Sequence, residues 1–305
     1  MFKIHNNISS DALPYQAFTD FKEVELTEKM ELEVAPTDTR KCWVVDMAVL
    51  PSCNLLVADW INNSVKVMDG QTGRLISQVQ LPGEPYRLCL LDGDRAAVSL
   101  HDERVIQIMS ISTDQLNLLD RVNVQGQCTG LAYMNNIFIV GLRDKECVAS
   151  ISIKGQLLKS VSEDNTGNAH FVYPDYICVT TENDAPKIYV SDYITRTITR
   201  LSEQLKVPQT FKFPTKNGPY ALAAAGGGQL LVRGRDSPIY PTLLVLDTGT
   251  GVFMNKQCES RKSSVLVASS VAYCPRLGRV YVNTGNYYGK ECIAVYEISS
   301  SIRDS

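Results

Sequence analysis

Leu55-Leu56-Val57-Ala58-Asp59-Trp60-Ile61-Asn62-Asn63-Ser64-Val65-Lys66-Val67-Met68-Asp69 is a pair of short apolar runs joined by a polar corner. Aliphatic runs bounded by Asp and Asn read as strand, tight loop, strand. The first run recurs at 96–100, 137–141, 188–192, 230–233 and 280–283. Successive copies lie about 40–50 residues apart, near the spacing of four-stranded propeller blades. Each copy is preceded by another apolar run, at 43–50, 86–91, 129–133, 176–180, 220–225 and 265–273, and followed by a third, at 65–67, 105–108, 149–153, 198–201, 243–246 and 293–296. A fourth run, at 75–81, 116–124, 157–161, 205–213 and 252–254, completes five of the six groups. Turn chemistry separates the runs, as in Asp69-Gly70-Gln71-Thr72-Gly73 and Asp247-Thr248-Gly249-Thr250-Gly251. Gly226-Gly227-Gly228 is also read as a turn, because it lacks the strand-to-helix context of a phosphate cradle. No dozen-residue stretch carries a helical period. The expected fold is all-β, a six-bladed β-propeller of four-stranded antiparallel blades.

The sixth group lacks its last strand. The chain offers a replacement near its start: Phe21-Lys22-Glu23-Val24-Glu25-Leu26 and Met30-Glu31-Leu32-Glu33-Val34 alternate apolar with charged residues, as an outer strand with one wet face does. An open ring would expose strand edges. Residues 21–36 are therefore expected to pair with the run at 291–298 and close blade six. This divides the chain into a flexible N-terminal tail (1–20), the propeller (21–299) and a short C-terminal tail (300–305).

The 305 residues are 44% hydrophobic, enough for a sizeable core, and a net charge of -3 gives no global basic excess of the kind that marks nucleic-acid binders. The nine cysteines form no C-x-x-C pair, and most lie inside apolar runs, as Cys89, Cys178 and Cys292 do. They read as reduced, buried, hydrophobe-like residues, which places the chain in the cytoplasm. The first residues carry no apolar signal-peptide core, and no run reaches the roughly 18 apolar residues of a membrane span. No membrane association is expected, and the propeller itself is expected to be a monomer.

Catalytic chemistry finds little material. Only His5, His101 and His170 exist, too few for a three-His zinc site with one of them in the tail. Asp59, Asp192 and Asn283 end equivalent strands; they read as loop caps in preference to a calcium-binding set of the lactonase kind. G-x-S-x-G, Walker and Rossmann patterns are absent from the sequence. No catalytic residue, metal or cofactor is assigned.

Recognition finds more. Loops between second and third strands should share one face of the ring with the blade-joining loops, and propeller ligands meet such loops. Blade one places Trp60 and Asn62 there, blade two Arg104, and blade three Arg143 and Lys145. Blade four adds Tyr193 and Arg196, blade five Arg235 and Tyr240, and blade six Tyr287, Tyr288 and Lys290. Arg87 follows one of the joining loops. Aromatics and arginines suit protein hot spots and also stack on single-stranded bases. Asp102, Glu103, Asp144, Glu146 and Asp236 interleave with the cations, which favours a protein partner over a polyanion.

The strand ending in Asp, the short loop with Asn or Arg and the second strand, seen at 55–69 and again at 188–198, resemble the NHL repeat. The six-copy set over 21–299 resembles the C-terminal NHL propeller of tripartite-motif proteins, particularly the expanded invertebrate sets. The resemblance implies a substrate- or partner-recognition module. Ubiquitin-ligase chemistry would belong to RING, B-box and coiled-coil segments that these residues do not contain. Some relatives bind RNA through this face, so RNA is the alternative partner, with a propeller hydrolase or lactonase the lesser one. Blades three, five and six depart from the motif, with Gly141, Gly234 and Asn283 near the Asp position, and their loops are expected to take other shapes.

Overall fold

The computed structural model describes residues 20–22, 24–34, 42–112, 115–163, 166–182, 184–207, 209–234, 242–256, 270–284 and 292–300. They form six sheets of four strands each. The one helical element among the described residues is a 3-10 turn at Arg143–Lys145.

Blade one sets the pattern with Val44–Val49, Leu55–Asp59, Ser64–Met68 and Leu75–Gln80, each antiparallel to the next. Its two middle strands are buried throughout, because neighbouring blades cover both of their faces, and they are mostly apolar, with Asp59, Ser64 and Lys66 the buried polar exceptions. The outer strand mixes buried and exposed positions and carries Gln78 and Gln80 outward. Blades two to five repeat the order from inner strands Pro85–Leu91, Cys128–Met134, Pro174–Glu182 and Pro219–Gly226.

Apolar layers between adjacent blades make up the core. Leu56, Ala58 and Val67 meet Leu88, Val98 and Leu100 between blades one and two. Gly141 shows how tight the joints are: a Cβ there would sit 2.3 Å from the carbonyl oxygen of Pro174 on the next blade.

Blade six is completed by the early segment, as the alternation at 21–36 predicts. Val24–Glu33 pairs antiparallel with Cys292–Ser300, with Leu26 opposite Ile298, Met30 opposite Val295 and Leu32 opposite Ile293. Side chains anchor it to the blades on either side. Phe21 is buried edge-on against Tyr273, 5.1 Å between ring centroids, and its N–H donates to Gln229 Oε1 of blade five at 2.9 Å. Lys22 pairs with Asp247 of the same blade. At the other end Leu32 and Val34 enter the layer between blades six and one, and Lys66 Nζ of blade one donates to the Val34 carbonyl at 3.4 Å. Residues 1–19 and 301–305, expected to be tails, and 35–36 of the expected closing strand lie outside the described residues.

Two outcomes follow from this closure. Leu32→Ala should lower unfolding stability in urea by about 2–5 kcal/mol, the cost of deleting a buried leucine, with a wild-type m-value. Lys22 holds the Asp247 carboxyl down at about 2. A depressed carboxylate contributes stability above its unfolded pKa and loses it as pH falls through the folded one. The stability gap between wild type and Lys22→Met should therefore be constant above about pH 5 and shrink between about pH 4 and pH 2, read by acid-series denaturation.

Candidate binding site at the mouth of the ring

In blades one to four the loops between second and third strands emerge on one face; those of blades five and six lie outside the described residues. In blades one to four the last loop residue adopts the left-handed conformation, at Asn63 (φ 46), Arg104 (φ 56), Glu146 (φ 48) and Arg196 (φ 58). None is glycine, so the repeated corner is imposed on each of them by the hairpin.

Strand-end acids hold these corners. Asp59 Oδ1 accepts the Trp43 N–H at 3.0 Å, and Asp192 Oδ1 accepts those of Ile194 and Thr195 at 3.0 and 2.9 Å. Asp192 Oδ2 accepts the Val172 and Tyr173 N–H groups at 2.7 and 2.8 Å. Asn283 Oδ1 likewise accepts the Ser270 N–H at 2.9 Å, while the loop that follows it in blade six lies outside the described residues. Asp59 and Asp192 hold backbone of their own blades, whereas Asn283 also reaches blade one, its Nδ2 donating to the Val44 carbonyl at 3.0 Å. Blade three does differ: Leu142 stands opposite Cys128, and the 3-10 turn follows it.

A cavity of ≈ 390 Å³ opens at this face. Blade one contributes Trp43 and Trp60, packed edge to face with centroids 5.2 Å apart. From blade two come Glu84, Tyr86 and His101, the last two with rings 5.4 Å apart. Arg143 of blade three lays its guanidinium 4.7 Å from the ring centre of Tyr173, at the entry to blade four. Around the rim His101 Nδ1 is hydrogen-bonded to Asp102 at 2.8 Å and Arg104 is paired with Asp144 at 3.2 Å.

Below the cavity lies a buried polar floor that joins four blades across the axis. Arg87, expected on the surface, is its centre and is only 3% exposed. It donates from Nη2 to Asp175 Oδ1 at 2.7 Å, from Nε to the Asp175 carbonyl at 3.1 Å and from Nη1 to the Val45 carbonyl at 3.0 Å. Tyr86 and Tyr176 face its guanidinium at 4.2 and 4.9 Å. Asp46 accepts from the Leu88 N–H at 2.8 Å, from Ser270 Oγ at 2.9 Å and from the Tyr176 hydroxyl. Burial pushes both Asp46 and Asp175 upward, and the Arg87 charge works against that rise. The physical reason for the correction is position: Arg87 lies on the innermost strand, where the long side chain runs toward the axis and finds a carboxylate of blade four.

Beneath this floor a second cavity, of ≈ 330 Å³, is lined by the inner strands of all six blades, with Met47, Leu131 and Leu222 among its apolar walls. Cys89 and Cys178 also line it; burial drives both thiols up, Cys178 to about 12, so they stay protonated. Tyr86 faces the upper cavity and Tyr176 the lower, which places the Arg87 network between them. Eight cysteines are described, and no disulfide joins any two of them. No helix among the described residues is long and apolar enough to cross a membrane.

Of the residues expected on the face, Trp60 and Arg143 line the mouth. Asn62 is turned inward, its Nδ2 donating to Asp59 Oδ2 at 2.7 Å beside the buried Lys66–Asp59 pair. Arg104 and Lys145 are exposed on the rim. Tyr193 packs on Tyr220 at 4.8 Å, and Arg196 reaches the Lys216 carbonyl at 3.5 Å. Arg235, Tyr240, Tyr287, Tyr288 and Lys290 lie outside the described residues. Sequence reading passed over Trp43, Tyr86, Tyr173, Asp46 and Asp175. A signal was present in Pro85-Tyr86-Arg87, Pro174-Asp175-Tyr176 and Pro219-Tyr220-Ala221, where a proline opens an inner strand and large or charged residues follow it.

No protein-family model and no curated protein sequence matches the chain. Solved structures do. The Cps50 (Swd1) β-propeller domain of Myceliophteria thermophila superposes with TM-score 0.58 at 12% identity, covering 84% of this chain and 83% of that one. Virginiamycin B lyase from Staphylococcus aureus gives TM-score 0.61 at 13% identity over 90% and 99%. Kuenenia stuttgartiensis hydrazine synthase gives 0.61 at 12% over 82% and 76%. At such identities the likeness is one of fold, and it establishes a β-propeller.

Arg87→Ala should cost about 3–5 kcal/mol in chemical denaturation, because it strands Asp175 without its cation. The paired change Arg87→Met with Asp175→Leu should recover most of that loss, since a buried ion pair exchanged for packed apolar groups is close to neutral.

Proposed function

We propose that this chain is a non-catalytic recognition module that takes a protein partner at the aromatic mouth. The observation that carries the reading is the mouth itself: Trp43, Trp60, Tyr86 and Tyr173 around a concave site, with acids and bases interleaved on its rim. Trp, Tyr and Arg are the residue types that dominate protein hot spots, and a mixed-sign surround suits a protein surface better than a phosphate chain. The strand-Asp-loop-strand corners at Asp59 and Asp192 support the finer reading that the chain is an NHL-type propeller of the tripartite-motif kind. On that reading ligase chemistry, where it exists, belongs to other segments of the protein.

RNA is the second reading, favoured by one feature: a guanidinium stacked on Tyr173 beside other aromatic walls, an arrangement that also holds unstacked bases. Salt separates the two. Labelled single-stranded and hairpin RNA should show no saturable anisotropy change at about 50 mM salt, where phosphate contacts are strongest. Saturable binding that falls steeply with salt, and that Arg104→Glu, Arg143→Glu and Arg196→Glu together abolish, would install RNA as the partner. A photo-crosslinking amino acid at position 60 should trap protein in cells, and one at position 94 on the opposite face should not. Equal trapping at both positions refutes the mouth as the site.

A further inference from the structure

The mouth is described above as a place; its chemistry says more about what enters. Among the basic side chains around it, Arg104 is paired with Asp144 at 3.2 Å, His101 Nδ1 is hydrogen-bonded to Asp102 at 2.8 Å, and Lys145 is exposed outside the cavity lining. Arg143 differs. Its guanidinium carbon lies over the Tyr173 ring, 4.7 Å from the ring centre, and no described carboxylate lies within ion-pair distance of it. A guanidinium over an aromatic ring keeps N–H groups for an acceptor, and the acceptor it fits best is a carboxylate or phosphate taken through two parallel hydrogen bonds.

The rest of the cavity narrows that choice. Its walls are mainly the Trp43–Trp60 pair, Tyr86 and Val45, an apolar surround for one large side chain. At ≈ 390 Å³ the space is at the small end for a ligand site, the scale of a single anchor residue. Blade two lines the same cavity with Glu84 and Asp102. Negative charge at the rim disfavours a chain of phosphates more than it disfavours a single carboxylate on Arg143.

We infer that the mouth takes one aromatic side chain of a protein partner together with a carboxylate next to it, the ring among Trp43, Trp60 and Tyr86 and the carboxylate on Arg143. This rests on the recognition reading above and adds the chemistry of the ligand.

Both tryptophans of the chain line this cavity, so tryptophan emission reports on it alone. A displayed library of random dodecapeptides is selected on the full chain and counter-selected on a Trp60→Ala, Arg143→Gln variant whose fold is checked by its thermal melt. Recovered sequences should share an aromatic residue within two positions of Asp or Glu. A tryptophan-free synthetic version should change the protein's emission saturably. Replacing its acid by the amide should weaken binding about tenfold, as expected for a bidentate charged contact, and Arg143→Gln alone should weaken it equally. The two changes together should cost no more than either one, while Arg104→Gln leaves affinity unchanged. Mouth-dependent peptides that are basic or lack an acid, or an Arg143→Gln affinity within about twofold of wild type, overturn this inference and leave the recognition reading standing. If no peptide distinguishes the chain from the variant, both fall. An emission change given by oligouridine in place of peptides transfers the site to RNA.

Discussion

A ring of twisted sheets has two loose edges until its last blade is complete, and here completion depends on the backbone ladder between Val24–Glu33 and Cys292–Ser300. These segments stand at opposite ends of the described sequence, so the contact that fixes the circle has the greatest loop-closure entropy to overcome. Its side chains are suited to that demand. Leu32 and Val34 reach into the layer between blades six and one, Phe21 is buried beside blade five, and Glu25 and Glu33 stay outward along the free edge. A charged outer edge also discourages further strands from adding to the sheet. Blade-to-blade packing elsewhere is local by comparison, since each blade follows its neighbour in the chain.

Closure sets the geometry on which the axis relies. Arg87 of blade two meets Asp175 of blade four, and Asp46 of blade one meets Tyr176 of blade four and Ser270 of blade six. Such contacts need the inner strands at a fixed radius. In return they make a rigid polar floor under the mouth, with Tyr86 shared between the two: its ring faces Arg87 and its hydroxyl donates to Asp175 at 3.1 Å. Buried ion pairs are weak sources of net stability, and their better-attested value is in specifying one arrangement. Here the arrangement specified is the separation of the upper cavity from the lower.

The fold was legible because its signals are local and repeated. Leu55–Asp59 and Ser64–Met68 announce a hairpin by composition alone, and six copies at one spacing leave few architectures. Even the long-range closure could be read, because the missing sixth outer strand and the alternating run at 24–34 are complementary absences and surpluses. The site was only half legible. Trp60 and Arg143 lie where loop position put them, but Arg87 is two residues past a joining loop and already on an inner strand, so its side chain runs to the axis. Nothing in the spacing of residues 46, 87 and 175 announces that they meet, since that depends on the radius of the ring. Trp43 was missed for a related reason: its place in the mouth follows from the Asp59 hydrogen bond that turns its backbone.

The closing strand enters at Val24 beside Ser300 and ends at Glu33 beside Cys292, so it climbs toward the mouth from the far side of the disc. Asp20 and Lys22, which precede it, contact Gln229 and Asp247 at the turns of that far side. Both ends of the described chain therefore lie at its back. The aromatic mouth thus faces away from the side on which the described chain both starts and stops, so a partner can approach it without crossing the clasp that closes the ring.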